Sequence, residues 1–265
     1  IVASAVAGLM AKLISLPFTL GFIGLMPLTA SFIISTLPGK NGKGQPLSLI
    51  NEIDNLVKRI KSGYKFLSEN TLVLYSFGLV VIFRVITSLS VLLLPNIARN
   101  VFNISAYDAG YFIILPVALG LLVGTLVLNK REEDGRKNKW IGTGFSLMGM
   151  MVLAVVLGRQ GNYLVQLFLD LTYLILIGIS ASVIFAPSLT FLHEYTPNSV
   201  RGHTFSNLMF LVNLAIIPSS LFSTSLAELL GIKTLMIIVG LLILSLGVII
   251  INKGNEIILA TNHRG

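Results

Sequence analysis

Seven apolar runs, each about as long as a bilayer is thick, constrain this chain more than anything else in it. They cover 16–37, 71–95, 107–128, 140–158, 163–187, 204–227 and 234–252. A hydrocarbon core of about 30 Å is crossed by about 20 apolar residues of helix. Residues 1–12 read as the end of an eighth such helix, because the chain opens at Ile1 inside an apolar run. Backbone groups left unpaired in lipid are costly, so these runs are expected to be helices. A membrane β-barrel shows ten-residue segments of alternating hydrophobicity instead, and the sequence contains none.

Composition closes the soluble alternative. Only 11% of the 265 residues are charged and 54% are hydrophobic, against about 25% charged in an ordinary soluble domain. Too few charges remain to clothe a soluble core, so lipid must cover much of the surface. The expected fold class is all-α, a polytopic membrane helical bundle. With no Cys, a disulfide framework, thiolate catalysis and cysteine metal sites are excluded.

A net charge of +8 raises the question of nucleic acid. The basic residues lie in short connections between apolar runs and form no aromatic-interleaved face, so no nucleic-acid partner is expected. Their placement is topogenic. Connections 38–70 (Lys40, Lys43, Lys58, Arg59, Lys61, Lys65), 129–139 (Lys130, Arg131, Arg136, Lys137, Lys139) and 188–203 (Arg201), with the tail (Lys253, Arg264), hold fourteen Lys and Arg. The opposite side holds four: Lys12, Arg99, Arg159 and Lys233. Positive charge stays on the cytoplasmic side, which predicts that 38–70, 129–139, 188–203 and the C-terminus are cytoplasmic, in a multi-pass protein of the cell membrane.

The longest polar stretch opens with the Gly-rich run Pro38–Gly44 and then turns periodic. Leu49, Ile50, Ile53, Leu56, Val57, Ile60, Tyr64 and Leu67 recur at helical steps, with Glu52, Asp54, Lys58, Arg59 and Lys61 between them. This pattern predicts a helix lying on the membrane surface. It serves as a covered linker or, alternatively, binds a partner.

Two ionisable residues fall inside spans, Arg84 in 71–95 and Asp170 in 163–187. Charge in that position marks a pathway or an internal partner. At 1.5 Å per residue, Arg84 lies roughly 16 Å inward of Pro95 and Asp170 roughly 12 Å inward of Asn162, on the same side. The two are therefore expected to be able to meet. Small residues at Gly120 and Gly124, and at Gly142, Ser146, Gly149 and Ala154, predict close helix contacts, while Pro116 and Pro218 permit kinks. Asn207 and Asn213, six residues apart, point about 120° from each other.

Enzyme chemistry finds no constellation. His193-Glu194 opens a metalloprotease-like pair, but the next His is His203, and Pro197 interrupts the helix that would aim the ligands. Gly-x-Ser-x-Gly and phosphate-loop motifs are absent. No catalytic residue, metal or cofactor is expected.

The run Ala186-Pro187-Ser188-Leu189-Thr190-Phe191-Leu192-His193-Glu194-Tyr195-Thr196-Pro197-Asn198-Ser199-Val200-Arg201-Gly202-His203 resembles the connection between helices ten and eleven of major facilitator transporters, through its Thr-Pro-x-x-x-Arg-Gly core. Phe205–Gly231, with Pro218 inside, is similar to the macrolide-efflux-type drug antiporter branch. In that register the chain runs from the end of helix five to helix twelve. The fold implied is a major facilitator bundle lacking most of its N-terminal half, with about 130 residues upstream by span arithmetic. Residues 1–37 would close the N-terminal bundle, 38–70 form a cytoplasmic linker, 71–252 a six-helix C-terminal bundle, and 253–265 a cytoplasmic tail. The family's Gly-x-x-x-Asp-Arg-x-Gly-Arg-Arg loop is loosely matched, by Gly120, Gly124 and Asp134-Gly135-Arg136-Lys137.

What the resemblance implies is a secondary active transporter, exporting amphipathic macrolide-like or drug-like molecules against protons; the chain alone, without helices one to four, is not expected to transport. Small-molecule substrate, lipid bilayer and proton are the expected partners. Helices seven and ten line the family's cavity, which makes Arg84 and Asp170 an ion pair broken and remade in transport; a permanent structural bridge, or pairing of Arg84 with a carboxylate in the missing half, is the alternative. Tyr75, Phe83 and Phe168, with Asn207 and Asn213, are the candidate substrate contacts, and Arg201, Asp134 and Arg136 the candidate gating residues. A scaffold or sensor on the same fold, or a lysophospholipid transporter, is the competing reading.

Overall fold

Each apolar run of the sequence that falls within the described residues folds as a helix, and the punctuation between the runs explains where the helices stop. The computed structural model describes residues 14–36, 71–129, 137–158, 162–196 and 231–262, and between them residues 202, 205–206, 209–210, 213–214, 223 and 225–230. At 16, 129, 137 and 253–262 only the backbone is described. The expected end-helix at 1–12, the linker 38–70 with its surface helix, and the residues Asp134, Arg136, Arg201 and Asn207 lie outside the described residues. Among the described residues there is no strand, and six helices are long and apolar enough to cross a membrane.

The first, α1 (Leu16–Ser35), is capped by the Ser15 hydroxyl, which accepts from the Phe18 N–H at 3.3 Å. It has no extensive contact with the other described helices, and its large apolar side chains are exposed, as lipid or further helices require. Next, α2 (Thr71–Leu92) is followed at once by the short α3 (Leu94–Asn100). The expected single run 71–95 thus divides into two helices. Pro95, in the first turn of α3, has no N–H to continue α2. Asn103 takes a left-handed backbone, φ 54°, and lets the Ile104 N–H reach the Ala98 carbonyl at 2.9 Å. Asn tolerates that conformation where most residues do not.

The third span begins as a π-helical turn at Gly110–Ile114 and continues as α4 (Leu115–Asn129). The Leu115 N–H bonds the Gly110 carbonyl, five residues back. Pro116 follows immediately; it cannot donate, and its ring would press on the carbonyl four residues earlier. One wide turn absorbs that mismatch, so the kink expected at Pro116 takes the form of a π-turn.

The fourth and fifth spans are α5 (Lys137–Leu157) and α6 (Tyr163–Tyr195). Neither matches its expected bounds of 140–158 and 163–187. The larger correction concerns α6, which runs through Pro187 for 33 residues, roughly 50 Å. Residues 188–195 are helix, not the loop expected from 188. Hydroxyls satisfy carbonyls along its length: Ser180 donates to Leu176, Ser188 to Ile184 and Thr190 to Ala186. Such back-bonding lets polar side chains and a proline lie in an apolar helix. The helix ends at Thr196, whose backbone is extended (φ −100°, ψ 115°) because Pro197 disfavours a helical residue before it.

The described positions from 205 to 230 that fall in the expected span 204–227 are helical. After them, Gly231 turns the chain with φ 78°, a conformation glycine adopts without steric cost. Finally α7 (Ile232–Asn262) continues well past the expected end at 252, so most of 253–265, expected as a tail, extends the last helix.

Glycine stripes pair the helices. On α4, a Cβ at Gly120 would overlap the Ile175 carbonyl of α6, and one at Gly124 would overlap the Ser182 hydroxyl. On α5, a Cβ at Gly142 would come within 2.6 Å of Ile251 Cγ1, and one at Gly149 within 2.5 Å of the Leu244 nitrogen, both on α7. The small faces expected from sequence are therefore the contacts of α4 with α6 and of α5 with α7. Close backbone approach of this kind is how helices associate when lipid removes the hydrophobic drive. Between these pairs lie two apolar cores. We name inner the side on which α2 and α5 begin and α4 and α6 end. The inner core gathers Leu79, Phe83, Ile141, Phe145, Ile184 and Phe191. The outer one gathers Leu93, Ala98, Val101, Phe102, Leu174 and Leu235.

Candidate functional site

Among the described residues, Asn138 and Asp170 are polar side chains buried in this apolar bundle, and the levels of such groups can be read from the helices that carry them. On α2, the Tyr75 hydroxyl donates to Asn138 Oδ1 at 2.7 Å, joining the inner ends of α2 and α5. Asn138 is 3% exposed, and its Nδ2 has no partner among the described residues. Tyr75 is thus tied to a helix neighbour. Removing the hydroxyl in Tyr75→Phe leaves the Asn138 carbonyl unpaired as well, which costs about 1–3 kcal/mol. The measurement is thermal unfolding of purified protein in detergent, where Tyr75→Phe is expected to melt several degrees below wild type; an unchanged midpoint would show that the bond is not made. Asn138 did not stand out in the sequence because it lies between Lys137 and Lys139, in a stretch that reads as topogenic loop.

Higher on α2, Phe83 and Arg84 both meet Phe185 of α6. The Phe83 and Phe185 ring centroids are 5.4 Å apart and inclined by 31°. The Arg84 guanidinium carbon lies 4.9 Å from the centroid of the same Phe185 ring, within cation–π distance. Phe83 is buried in the inner core, so it supports Phe185 and does not present a face for substrate. Phe185 itself gave no signal in the sequence, being one aromatic among many in an apolar helix.

Asp170, on α6, is 2% exposed and accepts from Gln166 Nε2 at 2.9 Å, one turn earlier on the same helix. Leu174, one turn further along, belongs to the outer core with Leu93 and Ala98. Asp170 therefore lies near the outer ends of the helices, level with α3. Phe168, two residues away and about 200° around the helix, is exposed on another face. Asn213 is helical and exposed. His193 stacks on Phe205 at 4.4 Å between ring centroids, at the inner end of α6.

Arg84 and Asp170 are not brought together, contrary to the expectation from their counted depths. Phe185, against which Arg84 sits, is fifteen residues from Asp170, about 22 Å along α6. Two physical reasons account for the difference. Asn162 is not at the level of Pro95, because α6 is far longer than the hydrocarbon core and overruns it. Side chains also lean toward the N-terminus of their helix. That directs Arg84 inward on α2 and Asp170 outward on α6.

Apolar helices of bilayer length, joined through glycine faces and carrying a mid-span arginine and a buried carboxylate, define a multi-pass α-helical membrane protein. The profile of the Major Facilitator Superfamily matches residues 1–219. The chain belongs to this superfamily, a family of membrane transporters. Comparison with curated proteins and with solved structures yields no match.

Proposed function

We infer that the protein is a secondary active transporter that exports amphipathic, drug-like small molecules in exchange for protons, as the macrolide-efflux resemblance implies. The observation that carries this reading is Asp170, a carboxylate 2% exposed within an apolar helix. Such a group is costly to keep charged there and is suited to bind and release a proton as its access changes. Its level near the outer ends fits proton entry from outside. Arg84, at mid-span, fits a substrate site near the midplane between two helix bundles.

In this reading the inner side is cytoplasmic, supported by the charge bias of the connections, and the membrane is the cell membrane. Residues 1–37 close one bundle, 38–70 link it to the six-helix bundle 71–252, and 253–265 lie at the cytoplasmic end. Arg201, Asp134 and Arg136 act in gating, and Asn207 and Asn213 contact substrate.

The test is transport in everted vesicles carrying the full protein under an imposed proton gradient, with wild type, Asp170→Asn and Arg84→Gln. Wild type is expected to move a lipophilic dye or a macrolide, and both variants to insert normally and fail. A scaffold or sensor would give no substrate counterflow at all. Competition by lysophospholipid and not by drug would make the substrate a lipid.

A further inference from the structure

We propose that Arg84, held against the face of Phe185, binds the anionic group of the transported molecule, so that amphipathic organic anions are among its substrates. The inference rests on the transporter reading and narrows it by charge. An arginine inside a span stays charged and carries five N–H donors, which need acceptors at that depth. Among the described residues its contact is an aromatic face, which steadies the cation but accepts none of those hydrogen bonds in its plane. Among the carboxylates whose side chains are described, none lies at its level. Asp170 is about 22 Å away along α6, and Glu194, nine residues past Phe185, about 14 Å. Asp108 and Glu228 sit close to the outer turns at Gly110 and Gly231.

The ends of its own helix are also distant. Arg84 is eight residues from the end of α2 at Leu92 and thirteen from Thr71, roughly 12 and 20 Å. Its side chain leans toward the longer distance. Arg84 is half-buried with its guanidinium carbon over the Phe185 ring, and the N–H edge of a guanidinium suits a planar acceptor. A carboxylate or sulfonate matches that edge through paired N–H···O bonds, while Phe185, itself half-buried, offers apolar surface to the body of the ligand.

The test is saturable binding to the full protein in nanodiscs of zwitterionic lipid, read by equilibrium dialysis with carboxyfluorescein and pyrenebutyrate as anions and ethidium as the cation. Wild type is expected to bind at least one anion in preference to ethidium. Arg84→Gln should weaken anion binding about 10- to 100-fold, as loss of a paired charge-assisted contact does. Arg84→Lys should retain part of it, and Phe185→Leu should weaken it about three- to tenfold. Elution of each variant as wild type on size exclusion controls for folding. Equal anion binding by wild type and Arg84→Gln, no saturable binding of either anion, or displacement only by phosphatidylglycerol added to the nanodisc would overturn the proposal. The transporter reading fails separately, if no probe of either charge moves in the vesicle assay.

Discussion

Gly178→Leu is expected to lower the midpoint of thermal unfolding in detergent by about 10 °C, the largest stability effect of any substitution argued from this structure. A Cβ at Gly178 would overlap the Val117 carbonyl of α4 and come within 2.9 Å of Gly120 Cα and the Leu121 nitrogen. These are backbone atoms, which cannot rotate aside as a flexible side chain can. Over-packing a tight contact costs about 1–3 kcal/mol and at times more, and here the whole α4–α6 seam must open. About 3 kcal/mol corresponds to a midpoint shift on the order of 10 °C for a chain of this size. Gly78 supplies the control. Nothing lies within 4 Å of a Cβ built there, so Gly78→Ala should melt no earlier than wild type, alanine being the better helix former. If Gly178→Leu melts with wild type, α4 and α6 do not approach as closely as the structure has them.

The largest functional effect is expected for Asp170→Asn. The substitution keeps the side chain's size but replaces the carboxyl by an amide, which cannot carry a proton in the proposed coupling. Proton-driven accumulation should fall by about a hundredfold or more, in line with the loss of a positioned proton-transfer group. Exchange of substrate across the membrane with no proton gradient should persist, since counterflow requires no net proton movement. This split separates coupling from structure. Loss of both accumulation and counterflow would make Asp170 a structural residue, and full accumulation would place coupling at another group. Asp170→Leu differs, because it leaves Gln166 Nε2 without its acceptor at 2.9 Å; about 1–3 kcal/mol of stability should be lost with it.

The residues behind these two predictions are legible in the sequence to different degrees. Gly120, Gly124, Gly142 and Gly149 stand out in the sequence as small residues at helical spacing, but their partners do not. Gly178 and Gly247 gave no separate signal, because a single glycine in an apolar run is as compatible with lipid as with a neighbour. Only the assembled bundle pairs Gly247 with Ser146 and Gly178 with Gly120. Asp170 was recognisable as a buried charge from its apolar surroundings. Its companion Gln166 lies one turn away on the same helix, where the i, i+4 spacing was a readable cue.

What the sequence determined by itself was the all-α, multi-pass class and the approximate position of each described span. Those follow from properties local to each segment: enough apolar length to cross the bilayer, and a backbone that must bond to itself in lipid. Tertiary structure decided how far helices extend beyond the bilayer and which residues share a level. α6 passes through Pro187 because Ser188 and Thr190 bond to carbonyls in the surrounding turns while neighbouring helices support it, and its 33 residues then displace Asp170 from Arg84. Depth counted along one helix does not transfer to another when offset and lean differ. For that reason Arg84 meets Phe185, and not the acidic residue to which its charge would assign it.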